Sequence, residues 1–200
     1  MRRNREETEK KIKEAVGRIV LREGFAGLGI NAVAKEAGCD KVLIYRYFGS
    51  LEELTESYVK EKDYFSNIAP VFPGTGEKLT REETAWVAKR IFIGQLKYTA
   101  SDAEFRELLL WELSHRNQIT ERLAKSREEK GMQVLNKAGI SGEFEGKDLA
   151  AIAAIIQGGI TYLLLRSKTS DVFNGIDLSS DEGLLRIQNA VGDLIETILS

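Results

Sequence analysis

Residues 29–48, GINAVAKEAGCDKVLIYRYF, carry the side chains whose types and spacing point most clearly to a chemical task. Ile30, Val33, Ala34 and Ala37 fall on one face of a short helix that Gly38 must end. Asp40 then stands as N-cap for a second short helix, Lys41 to Phe48. Two such helices joined by a glycine-bearing turn make a helix-turn-helix, whose second helix can enter a DNA major groove. At about 100° per residue, Ile44 and Phe48 stand one above the other and point inward, with Tyr45 beside them. Val42, Leu43, Arg46 and Tyr47 then point away. Two aliphatics and an aromatic around one arginine are ill suited to water but well suited to base edges. Aliphatic groups touch thymine methyls there, and arginine bridges guanine O6 and N7. The bland alternative is that Val42 and Leu43 pack on a neighbouring helix. Lys41 and the hydroxyls of Tyr45 and Tyr47 are candidate phosphate contacts, which fix register rather than sequence. Arg2, Arg3 and Arg5 form either an arm that reaches backbone or minor groove, or a solvated tail.

Other chemistries are poorly supplied. Glu112-x-x-His115 has the i, i+3 spacing of a carboxylate-bridged di-iron helix, but that site needs two such motifs and His115 is the only histidine. It reads better as a helix-end histidine beside Arg116, near the negative end of the helix dipole. Cys39, the one cysteine, follows Gly38 in a turn and reads as core rather than nucleophile. One Cys and one His cannot build a zinc site by themselves, and there is no partner for an intrachain disulfide. No Gly-x-Ser-x-Gly, phosphate-binding loop or dinucleotide fingerprint occurs. The expectation is no catalytic residue, no metal, no cofactor and no enzyme.

The elements that position the 29–48 stretch are helical throughout. Ile12, Ala15, Val16, Ile19 and Val20 make one stripe of a helix over 3–22, and Gly24 sits just past its end. A further helix over 51–65 carries Leu54 and Tyr58 inward. Ile68 to Gly76 holds both prolines, Pro70 and Pro73, with Gly74, and is the clearest boundary; a simple interhelical loop is the other reading. Beyond it, Thr80-x-x-Glu83, Ser101-x-x-Glu104 and Ser179-x-x-Glu182 have the form of capping boxes. Helices are expected near 81–100, 102–115, 117–137, 147–168 and 181–199. No period-two run is long enough for a strand, so the fold class is all-α.

The chain has 200 residues, 42% of them hydrophobic and 30% charged, enough for a buried core and unlike a disordered composition. The N-terminus runs into charge rather than an apolar stretch, so no signal peptide is read and a cytoplasmic location is expected. A net charge of −2 conceals an asymmetry. Residues 1–50 hold 11 Lys+Arg against 7 Asp+Glu, and the remainder 18 against 24. A basic head on an acidic body suits a polyanionic partner, double-stranded DNA, although chance scatter gives the same sums.

Leu149 to Leu165 is apolar almost all round but short for a membrane span, with Gln157 and two glycines inside it. Burial between its own core and a partner chain accounts for it better, and no membrane partner is expected. The last helix spaces Leu184, Ile187, Val191, Leu194 and Ile198 at 3,4,3,4, a coiled-coil-like seam. With Ile152 and Ile156 of the preceding helix, these are the candidate homodimer interface; an ordinary core pair in a monomer is the competing account.

The sequence resembles the TetR family of bacterial and archaeal transcriptional regulators over about its first quarter. The matching residues are Ile12, Ala15, Gly24-Phe25, Val33-Ala34, Ala37-Gly38, Ile44 through Phe48, and Glu52/Glu53-Leu54. The resemblance implies a DNA-binding head over 1–50 and a helical effector-binding and dimerisation body over 51–200, with 51–65 as connecting helix. It also implies a homodimer formed by the last two helices. By position, the DNA contacts become Asn31, Lys41, Val42, Leu43, Tyr45, Arg46 and Tyr47. The implied function is a repressor released from a palindromic operator by a small, mostly apolar effector that shifts the spacing of two heads. The fourth helix is the segment expected to transmit that shift. Candidate effector-lining residues are Trp86, Phe92, Leu96, Tyr98, Phe105, Leu109, Trp111 and Tyr162, which otherwise read as plain core. Three positions depart from the family pattern: Gly29 replaces a Thr or Ser, Leu43 a small hydroxyl residue, and Leu51 a frequent Lys. Gly29 and Leu51 keep open an alternative, a helical dimer that binds a small molecule or protein and no longer touches DNA.

Overall fold

The computed structural model describes residues 2–67, 79–137 and 146–199, so the Pro/Gly stretch from Ile68 to Gly76 lies outside the described residues. The chain divides into two compact units, residues 1–67 with 103–125, and residues 68–102 with 126–200.

In the first unit, α1 (Arg2–Glu23) buries Ile12, Ala15, Val16, Ile19 and Val20 along the stripe that its sequence spacing sets. A single 3-10 turn follows at Phe25–Gly27, then α2 (Ile30–Ala37), α3 (Lys41–Phe48) and α4 (Leu51–Lys62). The continuous helix expected over 51–65 instead ends at Lys62, and α5 (Tyr64–Asn67) is a separate turn. Side-chain competition explains the break. The Asp63 carboxylate accepts from the Ser66 amide and hydroxyl, and Asn67 Nδ2 donates to the carbonyls of Lys60, Glu61 and Asp63.

α7 (Ala103–Ser114) belongs to the same unit and packs on α1, α4 and the 3-10 turn. Trp111 stacks on Phe25 at 4.2 Å between ring centres. Glu104 accepts from the Tyr58 hydroxyl at 2.6 Å and pairs with Lys62 at 3.0 Å. That use of Glu104 corrects the capping box expected at Ser101, whose hydroxyl instead donates back to the Tyr98 carbonyl. The early turns of α8 (Gln118–Lys137) complete the unit, with Arg122 paired to Glu56 on α4.

In the second unit, α9 (Leu149–Arg166) and α10 (Asp181–Leu199) both pack on α6 (Arg81–Ser101). The Thr80 box forms with both of its hydrogen bonds. The box expected at Ser179 does not form: the Ser179 amide and hydroxyl donate to the Asp177 carboxylate, and Ser180 alone accepts from the Gly183 amide. Between α9 and α10 lies a two-stranded hairpin, β1 (Val172–Phe173) and β2 (Ile176–Asp177), which the sequence reading did not foresee. Its turn is Asn174-Gly175, both at positive φ.

By length and composition α9 could cross a membrane, with a mean hydropathy of 1.6. Here Leu149, Ile160 and Leu164 pack into a core with Phe92, Leu96, Leu178, Ile187, Val191, Ile195 and Leu199. The seam expected on α10 therefore splits. Ile187 and Val191 are taken up by the chain's own core, while Leu194 is 52% exposed and Leu184 and Ile198 are half-buried. The reason is that Ile187, Val191, Ile195 and Leu199 recur every fourth residue and form the inward stripe.

Candidate nucleic-acid interface

The interface starts from a turn that only certain residues permit. Gly38 ends α2 in the left-handed region, at φ 63° and ψ 37°, and its amide and that of Cys39 return to α2 carbonyls. This turns the chain sharply into α3. The Asp40 carboxylate accepts from the Val42 amide at 2.8 Å, so the first turn of α3 is capped as its sequence anticipates. Ser50 does the same for α4, accepting from Glu53. On α2, Glu36 receives Arg18 at 2.7 Å and Arg22 at 3.2 Å from α1. The Arg18 hydrogen bond first, then that of Arg22, holds the Glu36 carboxyl below the usual range, so it stays charged and clamps α2 to α1. Cys39 is half-buried, and burial followed by the nearby Asp40 charge pushes its thiol up, away from nucleophile chemistry.

Ile44 is fully buried and anchors α3, while Phe48 is only half-buried. The outward face differs from the expected one by a turn of about one residue. Lys41, Val42, Tyr45 and Arg46 are exposed, with Val42 at 62% and Tyr45 at 50%, whereas Leu43 and Tyr47 are half-buried. The cause sits on α1. Arg5 lies over the Tyr47 ring, 5.4 Å from its centre, while pairing with Glu9 at 2.6 Å. Leu43 is one turn before Tyr47 and shares its side. Tyr45, expected beside the inward pair, thus joins the exposed stripe. Asn31 is exposed in the first turn of α2. An exposed row of Lys, Val, Tyr and Arg offers one cation for phosphate, one for a base edge, and apolar contact between them.

Arg5 belongs to the helical α1 rather than to an extended arm; the side chains of Arg2 and Arg3 lie outside the described residues. Gly29 caps α2 without a side-chain hydrogen bond, as its type dictates. His115 is exposed just past the end of α7, with Nδ1 2.8 Å from the Ser114 hydroxyl.

The eight effector-lining candidates fall into both units. Phe105, Leu109 and Trp111 are core or half-buried residues of the first. Phe92 and Leu96 are core of the second, where Tyr98 is half-buried and Trp86 and Tyr162 are exposed. Of the interface candidates, Ile152 and Ile156 are half-buried on α9, whose exposed residues include Ile155 and Tyr162. A residue that pattern reading passed over is Gln95, fully buried on α6. Its sequence signal was a lone amide one helical turn from Phe92 and next to Leu96.

A short helix anchored by one buried isoleucine, following a left-handed glycine turn and exposing its far side, defines an all-α helix-turn-helix protein. Residues 18–58 match the family model described as bacterial regulatory proteins, tetR family. The HTH-type transcriptional repressor SCO4008 of Streptomyces coelicolor is 34% identical over 111 residues, 55% of this chain and 52% of that protein. The chain thus spans about half the length of this relative. The fold is shared with a TetR family transcription regulator from Marinobacter aquaeolei VT8, at 22% identity and TM-score 0.59, over 96% of this chain and 97% of that one. It is shared also with the transcriptional regulator FadR from Bacillus subtilis, solved in complex with stearoyl-CoA, at 21% identity and TM-score 0.59, over 93% and 96% of the two chains. Residues 18–58 are thus similar to the tetR family of bacterial regulatory proteins, and the fold is one that solved TetR-type regulators share.

Proposed function

We propose that the chain is a sequence-specific DNA-binding transcriptional regulator and not an enzyme: a homodimeric repressor released from a palindromic operator by a small-molecule effector. Residues 1–50 act as the reading head and the remainder as the effector-binding and dimerising body. The observation that carries this reading is the exposed row Lys41, Val42, Tyr45 and Arg46 on a helix pinned by Ile44. Arg46 reads a base edge, Lys41 and Tyr45 hold phosphate, and Val42 meets a thymine methyl. Asn31, Leu43 and Tyr47 flank them on the same approach. The exposed apolar residues Ile155, Tyr162, Leu185 and Leu194 support pairing of two copies through α9 and α10. The stearoyl-CoA complex of FadR supports a largely apolar effector.

Selection from a randomised duplex pool tests the reading and is expected to recover a two-fold symmetric site. Arg46→Ala is then expected to lose about 1–3 kcal/mol of discrimination at one base pair of each half-site. An unchanged preference, with affinity falling equally on every sequence, would make Arg46 a phosphate clamp. Recovery of no preferred site would overturn the regulator assignment.

A further inference from the structure

Among the described residues, one buried side-chain polar atom has no hydrogen-bond partner: the amide oxygen of Gln95. The side chain is wholly inaccessible, on the face of α6 that packs against α9. Its Nε2 donates to the Thr161 hydroxyl on α9 at 3.2 Å, which fixes one end of the amide and leaves Oε1 with nothing to accept. The neighbouring Thr99 does not serve it, since its hydroxyl donates to the Gln95 main-chain carbonyl at 2.7 Å. Turning the amide over does not cure the deficit, because an unpaired NH2 then replaces the unpaired oxygen.

A buried acceptor without a donor is expensive, and native interiors keep few of them. Each that persists has a reason, and a group received from outside the chain is one of them. Around this one the flanking side chains are Phe92 and Leu96 on α6, and Ile160 and Leu164 on α9, all buried and all apolar. Gly158, one turn before Thr161, lies on the exposed side of α9 with Ile155 and Tyr162.

We infer that Gln95 Oε1 is the polar anchor of the effector site in the second unit, and that its ligand is a neutral amphipathic molecule presenting one hydroxyl or amide N–H on an apolar body. The inference rests on the effector-responsive reading of that unit and narrows it. An apolar body suits the flanking residues, a charge would be stranded among them, and with Nε2 held on the Thr161 hydroxyl only a donor answers the amide oxygen. Thr161 holds the amide in place and is a positioning residue.

The experiment uses the full-length protein and two matched probes, 1-decanol and decyl methyl ether, which share an apolar body but of which only the first can donate. Binding is followed by tryptophan fluorescence and by thermal shift, and duplex binding is measured separately on the same preparations. Decanol is expected to bind at least about tenfold more tightly than the ether, the discrimination typical of one buried hydrogen bond left unmade. Gln95→Met is expected to abolish that preference while both probes still bind, and Gln95→Leu repeats the test with a different side chain. Equal binding of the two probes to the native protein, a preference that survives in both variants, or no saturable response to decanol would overturn the inference. Loss of duplex binding with the decanol preference intact would instead refute the regulator assignment and leave the Gln95 site standing.

Discussion

Two glycines in the head pose opposite demands on the backbone. Gly38 sits at φ 63°, where any side chain strains the chain, although its missing Cβ has open space around it. Gly29 sits at φ −158°, ordinary extended backbone that any residue adopts, also with open space. Gly38→Ala is therefore expected to cost about 1–2 kcal/mol from conformation alone. Gly29→Ser is expected to stabilise by a few tenths of a kcal/mol, by supplying the cap that α2 lacks. Chemical denaturation of both variants checks the contrast, and equal effects would show that the turn at Gly38 is not held in the left-handed region. The sequence made the first of these demands legible, because a glycine between two apolar helical patterns has few other uses. It could not reveal which side of α3 stays exposed, since that depends on Arg5 reaching Tyr47 from 42 residues earlier in the chain. Spacing reports what lies on one helix, not what another helix lays over it.

At the scale of elements, the helix bounds were legible wherever a cap or breaker stood at the end, as at Asp40, Thr80 and Gly38. They were misread where polar side chains compete for the backbone, as at Asp63, and where three-residue spacing offered two serines, Ser179 and Ser180. The hairpin at 172–177 escaped because two residues per strand carry no periodicity, and Asn174-Gly175 was its only signal. The apolar residues of α10 were evident, but their division was not, because spacings of three and four both recur along it. That division yields a prediction. Ile187, at 6% exposure, lies in the intrachain core, so Ile187→Asp is expected to unfold the second unit, at a cost of several kcal/mol. Leu194→Asp is expected to leave helicity intact and to shift sedimentation from dimer to monomer. A folded, dimeric Leu194→Asp protein would move the dimer contact off this face of α10.

For the whole molecule, the charge balance matters less than where the charge is placed. Residues 1–50 carry 11 basic and 7 acidic side chains, so the proposed reading head is basic although the chain is acidic. Binding should therefore weaken steeply with added salt, because each neutralised phosphate releases counterions and adds about −0.9 to the slope of log affinity against log salt. If two copies bind one operator, each removed contact is removed twice. Lys41→Ala is thus expected to flatten the slope by about 1.8, the change for two phosphates, and to lower affinity on every sequence alike. The symmetric site is expected to place its half-sites about 34–36 Å apart, one helical turn. A flattening of about 0.9 would mean that a single head engages. An unchanged slope would take Lys41 off the phosphate backbone altogether and leave the exposed row of α3 to be explained by Val42, Tyr45 and Arg46 alone.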